Sequence, residues 1–397
     1  MTLICFSHLR WNFVFQRPQH LLSRFAKNHA VYFIEEPIFG AALPELRLRW
    51  EEPGVYVAVP HLPGGRSEQD VWNMLKSLVD DLIADKKLKD LLLWYYTPMA
   101  LPFSRHLGAT ATVYDCMDEL SLFKNPHPLL TTLEAELFER ADVVFTGGHS
   151  LYEHKRFMHP NVHAMPSSID FRHFSAARKK PAEPEDQKSA GPVRLGFAGV
   201  IDERFDIELV EQVAGLKPDW NLIMIGPVVK ISEDALPRRP NIHYLGMKNY
   251  KDLPAYMAHW TIGILPFARN DSTRFISPTK TPEYLAAGLP VISTSIADVV
   301  RPYGEQGLVS IADEAGAFIR AGEKILQTLP NAEWRARVDA FLSQTSWDGT
   351  QAQMAKLVQD AIAKKSSQRE DSEDDAAAAG GEWQIPAVAV TSHPAYV

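Results

Sequence analysis

The sequence predicts an α/β protein built from two doubly wound, Rossmann-like domains, and three observations lead there. Short apolar runs alternate with helical patterns from the first residues onward, the rhythm of strand-helix-strand units in a parallel sheet. The rhythm breaks once, at residues 175–192, where three prolines and seven charges accompany no large apolar side chain, and it then resumes. At 397 residues the chain is too long for one ordinary core and long enough for two.

In the first half, strands are expected at 3–7, 31–34, 55–59, 91–95, 111–114 and 143–146, with helices at 18–27, 71–85 and 129–139. In the second half, strands are expected at 194–197, 222–225, 242–244, 262–265 and 291–294, and helices at 315–329 and 351–363. The organisation read from this is an N-terminal domain over 1–174, a solvated linker over 175–192 and a C-terminal domain over 193–345. A helix over 346–365 is expected to cross back to the first domain. Residues 366–397, acidic and rich in Ala and Gly, are expected to be disordered.

Bulk properties exclude several classes. Apolar residues at 46% and charged residues at 23% are globular averages, and the longest apolar stretches fall far short of a membrane-spanning helix. The N-terminus runs directly into a strand pattern, so it is read as core rather than as a signal peptide, and the expected location is the cytoplasm. A net charge of -8 disfavours nucleic acid as a partner. Cys5 and Cys116 lack the spaced partners of a disulfide framework or zinc site, and the fourteen histidines are scattered, so no metal site is expected. No G-x-G-x-x-G follows the first strand and no G-x-S-x-G elbow occurs, which argues against nicotinamide, flavin and serine-hydrolase chemistry.

The most informative stretch runs from Ser277 to Ile292. Ser277 suits an N-cap, Pro278 the first helical position, Gly288 a C-terminal stop, and Pro290 leads into a buried strand. The start of that helix offers free N–H groups near Thr279 and Lys280 to an anion such as pyrophosphate. Glu283 lies three residues on, on the same face, where a carboxylate accepts both hydroxyls of a ribose. The competing reading is an exposed Lys280–Glu283 ion pair of little consequence.

Pro278-x-Lys280-x-x-Glu283-Tyr284-Leu285-Ala286-Ala287-Gly288-x-Pro290-Val291 resembles the donor-site signature of retaining GT-B glycosyltransferases of family four, the glycosyl transferases group 1. The resemblance implies two Rossmann-like domains facing a central cleft, a nucleotide-diphosphate sugar as donor, no bound cofactor, and a glutamate at Glu283 on the donor ribose. The family's usual pattern has a second glutamate eight residues earlier, contacting the donor sugar; this chain has Phe275.

Gly196 to Asp206 resembles the family's phosphate turn, with Gly199 at the turn and Arg204 as the one basic residue. Arg204 is read either as a phosphate ligand or as the partner of Asp202 or Asp206. By the same resemblance Gly226 lets the nucleotide approach, and the loop Gly246-Met247-Lys248 frames its base. Trp11-Asn12-Phe13-Val14-Phe15-Gln16-Arg17-Pro18-Gln19-His20-Leu21 resembles the W-x4-QRPQHL segment of a subgroup linked to exopolysaccharide and teichuronic-acid-type synthesis. There Trp11 and Gln16 are placed on the acceptor side and Arg17 within reach of a phosphate, against the alternative that the aromatics pack under the loop and Arg17 pairs with a carboxylate.

Tyr114 to Glu119 closes another strand, so one carboxylate is expected to face the cleft and act on an acceptor hydroxyl: Asp118 first, Asp115 second. His149, after Gly147-Gly148, is expected to line the cleft. Lys280 and Arg204 would stabilise charge growing on the leaving group. The activity expected is glycosyl transfer to a saccharide or lipid-linked acceptor in cell-surface polysaccharide synthesis, with retention and without a metal. An acceptor on a lipid carrier would bring the chain to the inner face of the membrane as a peripheral protein. The rivals are a nucleotide-sugar 2-epimerase of the same fold and a catalytically inactive nucleotide-binding scaffold.

Overall fold

A computed structural model describes residues 1–51 and 54–379. The chain enters through β1 (Thr2–Phe6), and α1 (Arg17–Phe25) returns it to β2 (Ala30–Ile34) alongside. Two elements absent from the sequence reading come next, β3 (Ile38–Phe39) and β4 (Glu45–Glu51). β4 runs antiparallel along β5 (Val55–Leu62), whereas all other pairings in this sheet are parallel. Helix α2 (Glu68–Asp85) then carries the chain to β6 (Leu91–Tyr95), the other neighbour of β1. The sheet is extended by α3 (Leu101–Ser104), β7 (Ala111–Cys116), α4 (Leu130–Arg140), β8 (Val143–Thr146), α5 (His149–Lys155) and β9 (Val162–Ala164). Its order is β3-β5-β2-β1-β6-β7-β8-β9, with β4 on β5.

After α6 (Phe171–Ser175) a second sheet begins with β10 (Arg194–Ala198), α7 (Ile207–Leu216), β11 (Asn221–Ile225), β12 (Ile242–Gly246) and α8 (Leu253–Met257). It continues with β13 (Ile262–Leu265), α9 (Lys280–Ala287), β14 (Val291–Ser293), α10 (Ala297–Val299) and β15 (Ser310–Ile311). The order is β12-β11-β10-β13-β14-β15, all parallel. Helices cover both faces, which is why β1 and β6 are buried throughout and apolar at every position but Thr2. Strand order reverses direction between β1 and β6 and again between β10 and β13. A sheet of this kind opens a crevice at such a switch point, at the carboxyl ends of the strands. Cys5 and Cys116 are buried and unpaired.

Helices α11 (Ala315–Thr328) and α12 (Ala332–Leu342) finish the second layer, and α13 (Trp347–Ala379) packs against the first domain. Trp347, Met354, Val358 and Ala361 are buried in the same cluster as β1 and β7 side chains. The His20 ring stacks on Trp347 with centroids 4.5 Å apart, and Arg24 and Lys365 pair with Asp348 at 3.0 Å and Asp142 at 2.8 Å.

Two expectations change here. Residues 175–192 do not form a free solvated linker: Gln187 is buried, donating to the Tyr256 carbonyl at 3.2 Å and accepting from the Trp260 indole at 3.2 Å. Arg178 reaches the Ala286 carbonyl at 2.7 Å and Asp339 at 2.7 Å. Polar side chains dock this connector on the second domain, a mode that apolar patterning does not reveal. The tail expected to be disordered from 366 instead continues α13 through Ala379, a stretch without Gly or Pro to stop a helix. The rest of that tail, 380–397, lies outside the described residues.

Trp347→Ala is expected to cost ~3–5 kcal/mol of stability in urea unfolding, as for other buried large-to-small changes. A loss under about 1 kcal/mol would mean that α13 is not an integral part of the first domain's core.

Candidate functional site

A cavity of about 420 Å³ opens at the carboxyl ends of β10 and β13, with the loop after β1 forming its opposite wall. Helix α9 supplies its floor. The sequence placed the helix start at Pro278, but α9 runs from Lys280, and its N-cap is Thr279, whose backbone is already helical with φ of -57° and ψ of -26°. The Ser277, Thr279 and Lys280 amides have no intramolecular acceptor among the described residues. Gly288 ends the helix with φ of 86°, a conformation that suits glycine. Tyr284 is fully buried, and its hydroxyl accepts the Ala198 N–H at 2.7 Å, tying α9 to the end of β10.

Lys280 and Glu283 both line the cavity. The competing reading, a mutual ion pair, is not what the structure shows: neither side chain has an ion-pair partner among the described residues. The Lys280 side chain lies across Gly199, where a Cβ would overlap its Cε. Burial lowers the Lys280 ammonium below its ordinary value, opposed by the Glu283 charge, and burial pushes the Glu283 carboxyl up to about 7. Gly226, with φ of 141°, brings the loop after β11 against the Gly199 carbonyl, so close that a Cβ would overlap that oxygen. Gly226 also lines the cavity, so the missing side chain both admits this backbone packing and leaves the cavity wall open there.

Arg204 pairs with Asp202, not with Asp206. Nε and Nη2 donate to the Asp202 carboxylate at 3.0 and 2.7 Å, whereas Asp206 caps α7 through the Leu209 N–H at 2.9 Å. The pair occupies one edge of the fork; Nη1 has no partner among the described residues, and Arg204 lines the cavity. Phe123 of the first domain packs against this guanidinium and against Lys230, with distances of 5.3 and 4.8 Å to the ring centroid. Opposite them Asp118 lines the cavity. Burial raises its carboxyl above the ordinary value despite the Arg204 charge, which suits it to accept a proton.

Several expected residues are engaged by the protein itself, including Arg17, Trp11 and Gln16, which line the cavity. Arg17 and Asp115 are consumed by each other: Nη2 and Nε donate to Asp115 at 2.8 and 3.1 Å, and Nη1 donates to the Met165 carbonyl at 2.6 Å. Both side chains are almost wholly buried, so Arg17 is no free phosphate ligand and Asp115 no free base. The Trp11 ring borders the cavity but packs edge-on against Phe33 with centroids 5.1 Å apart, leaving Phe13 and Phe15 as the accessible aromatics of that loop. Gln16 lines the cavity, and its amide donates to Gln19 at 3.0 Å. His149 does not line it: Asp298 of the second domain accepts the His149 and Ser150 amides, each at 2.9 Å. Gly246 sits behind Met247 and Lys248, which do line the cavity, and the Lys248 ammonium is held by Asp186 at 2.6 Å.

The sequence reading missed Tyr250. Its ring lies between Phe15 and His173, each at a centroid distance of 4.3 Å, and its buried hydroxyl has no partner among the described residues. The only signal was its place shortly after the Gly246 turn. Phe275, standing where the family pattern has glutamate, does not line the cavity; it stacks on His154 of the first domain, with centroids 4.6 Å apart. Among the described residues no three His, Cys, Asp or Glu side chains are grouped to hold a metal ion. No described helix is long and apolar enough to cross a membrane.

Comparison with known proteins bears on the family and the fold. Residues 193–328 match the family described as glycosyl transferases group 1. A putative teichuronic acid biosynthesis glycosyltransferase, TuaH of Bacillus subtilis (strain 168), is 28% identical over 274 residues, covering 64% of this chain and 68% of that protein. Sucrose-phosphate synthase from Thermosynechococcus elongatus superimposes with a TM-score of 0.67 at 14% identity, covering 92% of this chain and 100% of that one. The E. coli structure described as trehalose-6-phosphate bound with UDP-2-fluoro glucose gives 0.61 at 13% identity, covering 90% and 99%. At these identities the two structures speak for the fold.

The raised Glu283 pKa has a stability consequence. The folded chain holds this proton more tightly than the unfolded chain, so stability falls as pH rises from 4.5 to about 7 and levels off above it. Between pH 5 and 8 the native chain should therefore lose on the order of 1–3 kcal/mol more than Glu283→Gln in urea unfolding. Parallel losses would place Glu283 in an ordinary solvated setting.

Proposed function

We propose that this GT-B glycosyltransferase moves a sugar from a nucleotide-diphosphate donor to a saccharide or lipid-linked acceptor in cell-surface polysaccharide synthesis. The observation that carries the proposal is the recessed pair Lys280 and Glu283, without partners among the described residues, at the start of α9 and inside the matched family segment. A cation and a carboxylate held this way lack internal compensation and gain it from a ligand that brings an anion to one and hydroxyls to the other. A nucleoside diphosphate does both.

In this reading the diphosphate lies over Gly199, against the Lys280 ammonium, the Nη1 edge of Arg204 and the free amides of Thr279 and Lys280. Glu283 accepts the ribose hydroxyls, and Met247 and Lys248 frame the base through their backbone. As the glycosidic bond breaks, charge grows on the bridging oxygen, and Lys280 and Arg204 stabilise it in place of a divalent ion. Asp118, across the cleft, orients the acceptor hydroxyl and takes its proton. In this reading the anomeric configuration is retained, as in the retaining enzymes that the donor-site signature resembles. TuaH, by its name, supports cell-surface polysaccharide synthesis; in this reading the reaction takes place on the cytoplasmic side, with peripheral membrane contact if the acceptor is lipid-linked.

The test is a panel of UDP-, GDP- and dTDP-sugars with EDTA present, following binding and slow hydrolysis. One donor should bind and turn over. Lys280→Ala and Glu283→Ala should each weaken its binding by about 10-fold or more, the loss of a charged contact. Asp118→Asn should leave binding intact and cut transfer by ~10²-fold or more. No binding of any donor would sink the proposal in favour of a scaffold, and interconversion of donors without an acceptor would turn it to an epimerase.

A further inference from the structure

A second cavity, of about 480 Å³, opens in the first domain at the carboxyl ends of β1 and β2, under the first turns of α2 and the segment after β6. Its walls are apolar and aromatic, with Phe6, Trp72, Met99 and Phe103 foremost and Phe39 at the entrance. Polar side chains are fewer, among them Glu36, Glu68 and Arg66. A sugar ring needs hydrogen-bonding groups around its edge, and this wall chemistry supplies apolar surface instead.

The two cavities share a partition. Glu35 lines the second cavity, accepts the Trp11 N–H at 2.8 Å and pairs with Arg10 at 3.0 Å. Arg10 also donates to the Glu36 carbonyl at 2.6 Å. From Trp11 onward the same loop walls the donor cleft. A molecule with one end in the second cavity therefore needs to pass only this loop to bring its other end opposite Asp118. Outside the entrance the apolar surface continues: Phe39 is 55% exposed, Ile38 43% and Leu43 75%. Exposed apolar side chains gathered at the rim of an apolar cavity mark a binding surface rather than scattered surface residues.

We infer that this cavity holds a hydrocarbon chain of the acceptor, an alkyl or prenyl tail whose polar head crosses the loop 7–16 to present its hydroxyl in the donor cleft. The inference rests on the transferase reading for the acceptor's role, but not for the cavity's affinity for a chain. Each methylene moved from water into such a cavity contributes to binding, so an eight-carbon chain should bind at least ~30-fold tighter than a one-carbon one.

The probes are n-octyl β-D-glucoside below its micelle concentration and methyl β-D-glucoside, titrated calorimetrically into the full chain without donor. Octyl glucoside should bind at least ~30-fold tighter. Trp72→Asp and Phe39→Asp should remove most of that advantage while leaving nucleotide-sugar binding as in the native chain. Phe39 is half exposed and its replacement does not threaten folding, so it decides the matter if Trp72→Asp fails to fold. Equal affinity for the two glucosides, or a chain-length effect that survives Phe39→Asp, overturns the inference. Octyl binding without any nucleotide-sugar binding would support the chain site and sink the transferase reading instead.

Discussion

The candidate site depends on one electrostatic constraint: Lys280 and Glu283 stand within one turn of each other, recessed from water, without neutralising partners among the described residues. Charges drawn out of water without compensation cost free energy. The surrounding structure holds them there. α9 is tied to β10 by the Tyr284 hydroxyl, closed by the Gly288 stop, and braced from the connector by Arg178 on the Ala286 carbonyl. None of these contacts touches the cavity's charges, so the helix keeps its place while its first turn stays unsatisfied, an arrangement that favours binding over stability.

The other half of the site is set by contacts between the domains. Phe15 reaches across to stack on Tyr250, Phe123 packs on Arg204 and Lys230, Phe275 stacks on His154, and Asp298 caps the start of α5. These are aromatic and charge contacts between the domains, of which only Phe15, Tyr250 and Arg204 also line the cavity, while α13 returns the end of the chain to the first domain's core. They bring Asp118 to the cavity that Arg204 also lines. Phe275 belongs to the domain contact and not to the cavity wall.

What was legible in the sequence is what local chemistry encodes. The β10, α9 and β14 segments were readable because glycines, prolines and buried runs punctuate them, and Lys280 and Glu283 share a helical face by spacing alone. Arg17 was misassigned because its partner, Asp115, lies 98 residues away, and His149 because Asp298 lies 149 residues away. β4 was missed because its Leu-Arg-Leu-Arg-Trp alternation lies on an edge with both faces largely exposed. The connector was taken for solvated chain because its packing is made by Gln187 and Arg178 through hydrogen bonds. Tyr250 offered no local pattern; its role comes from rings contributed by both domains.

The most direct measurement of the central claim is proton release on nucleotide binding, obtained by calorimetry at pH 7 in buffers of different ionisation enthalpy. With its carboxyl at about 7, Glu283 is roughly half protonated in the free chain and must ionise to accept ribose hydroxyls. The native chain should therefore release about half a proton more than Glu283→Gln when the same nucleoside diphosphate binds. Equal release from the two proteins, with nucleotide bound to both, would contradict the account.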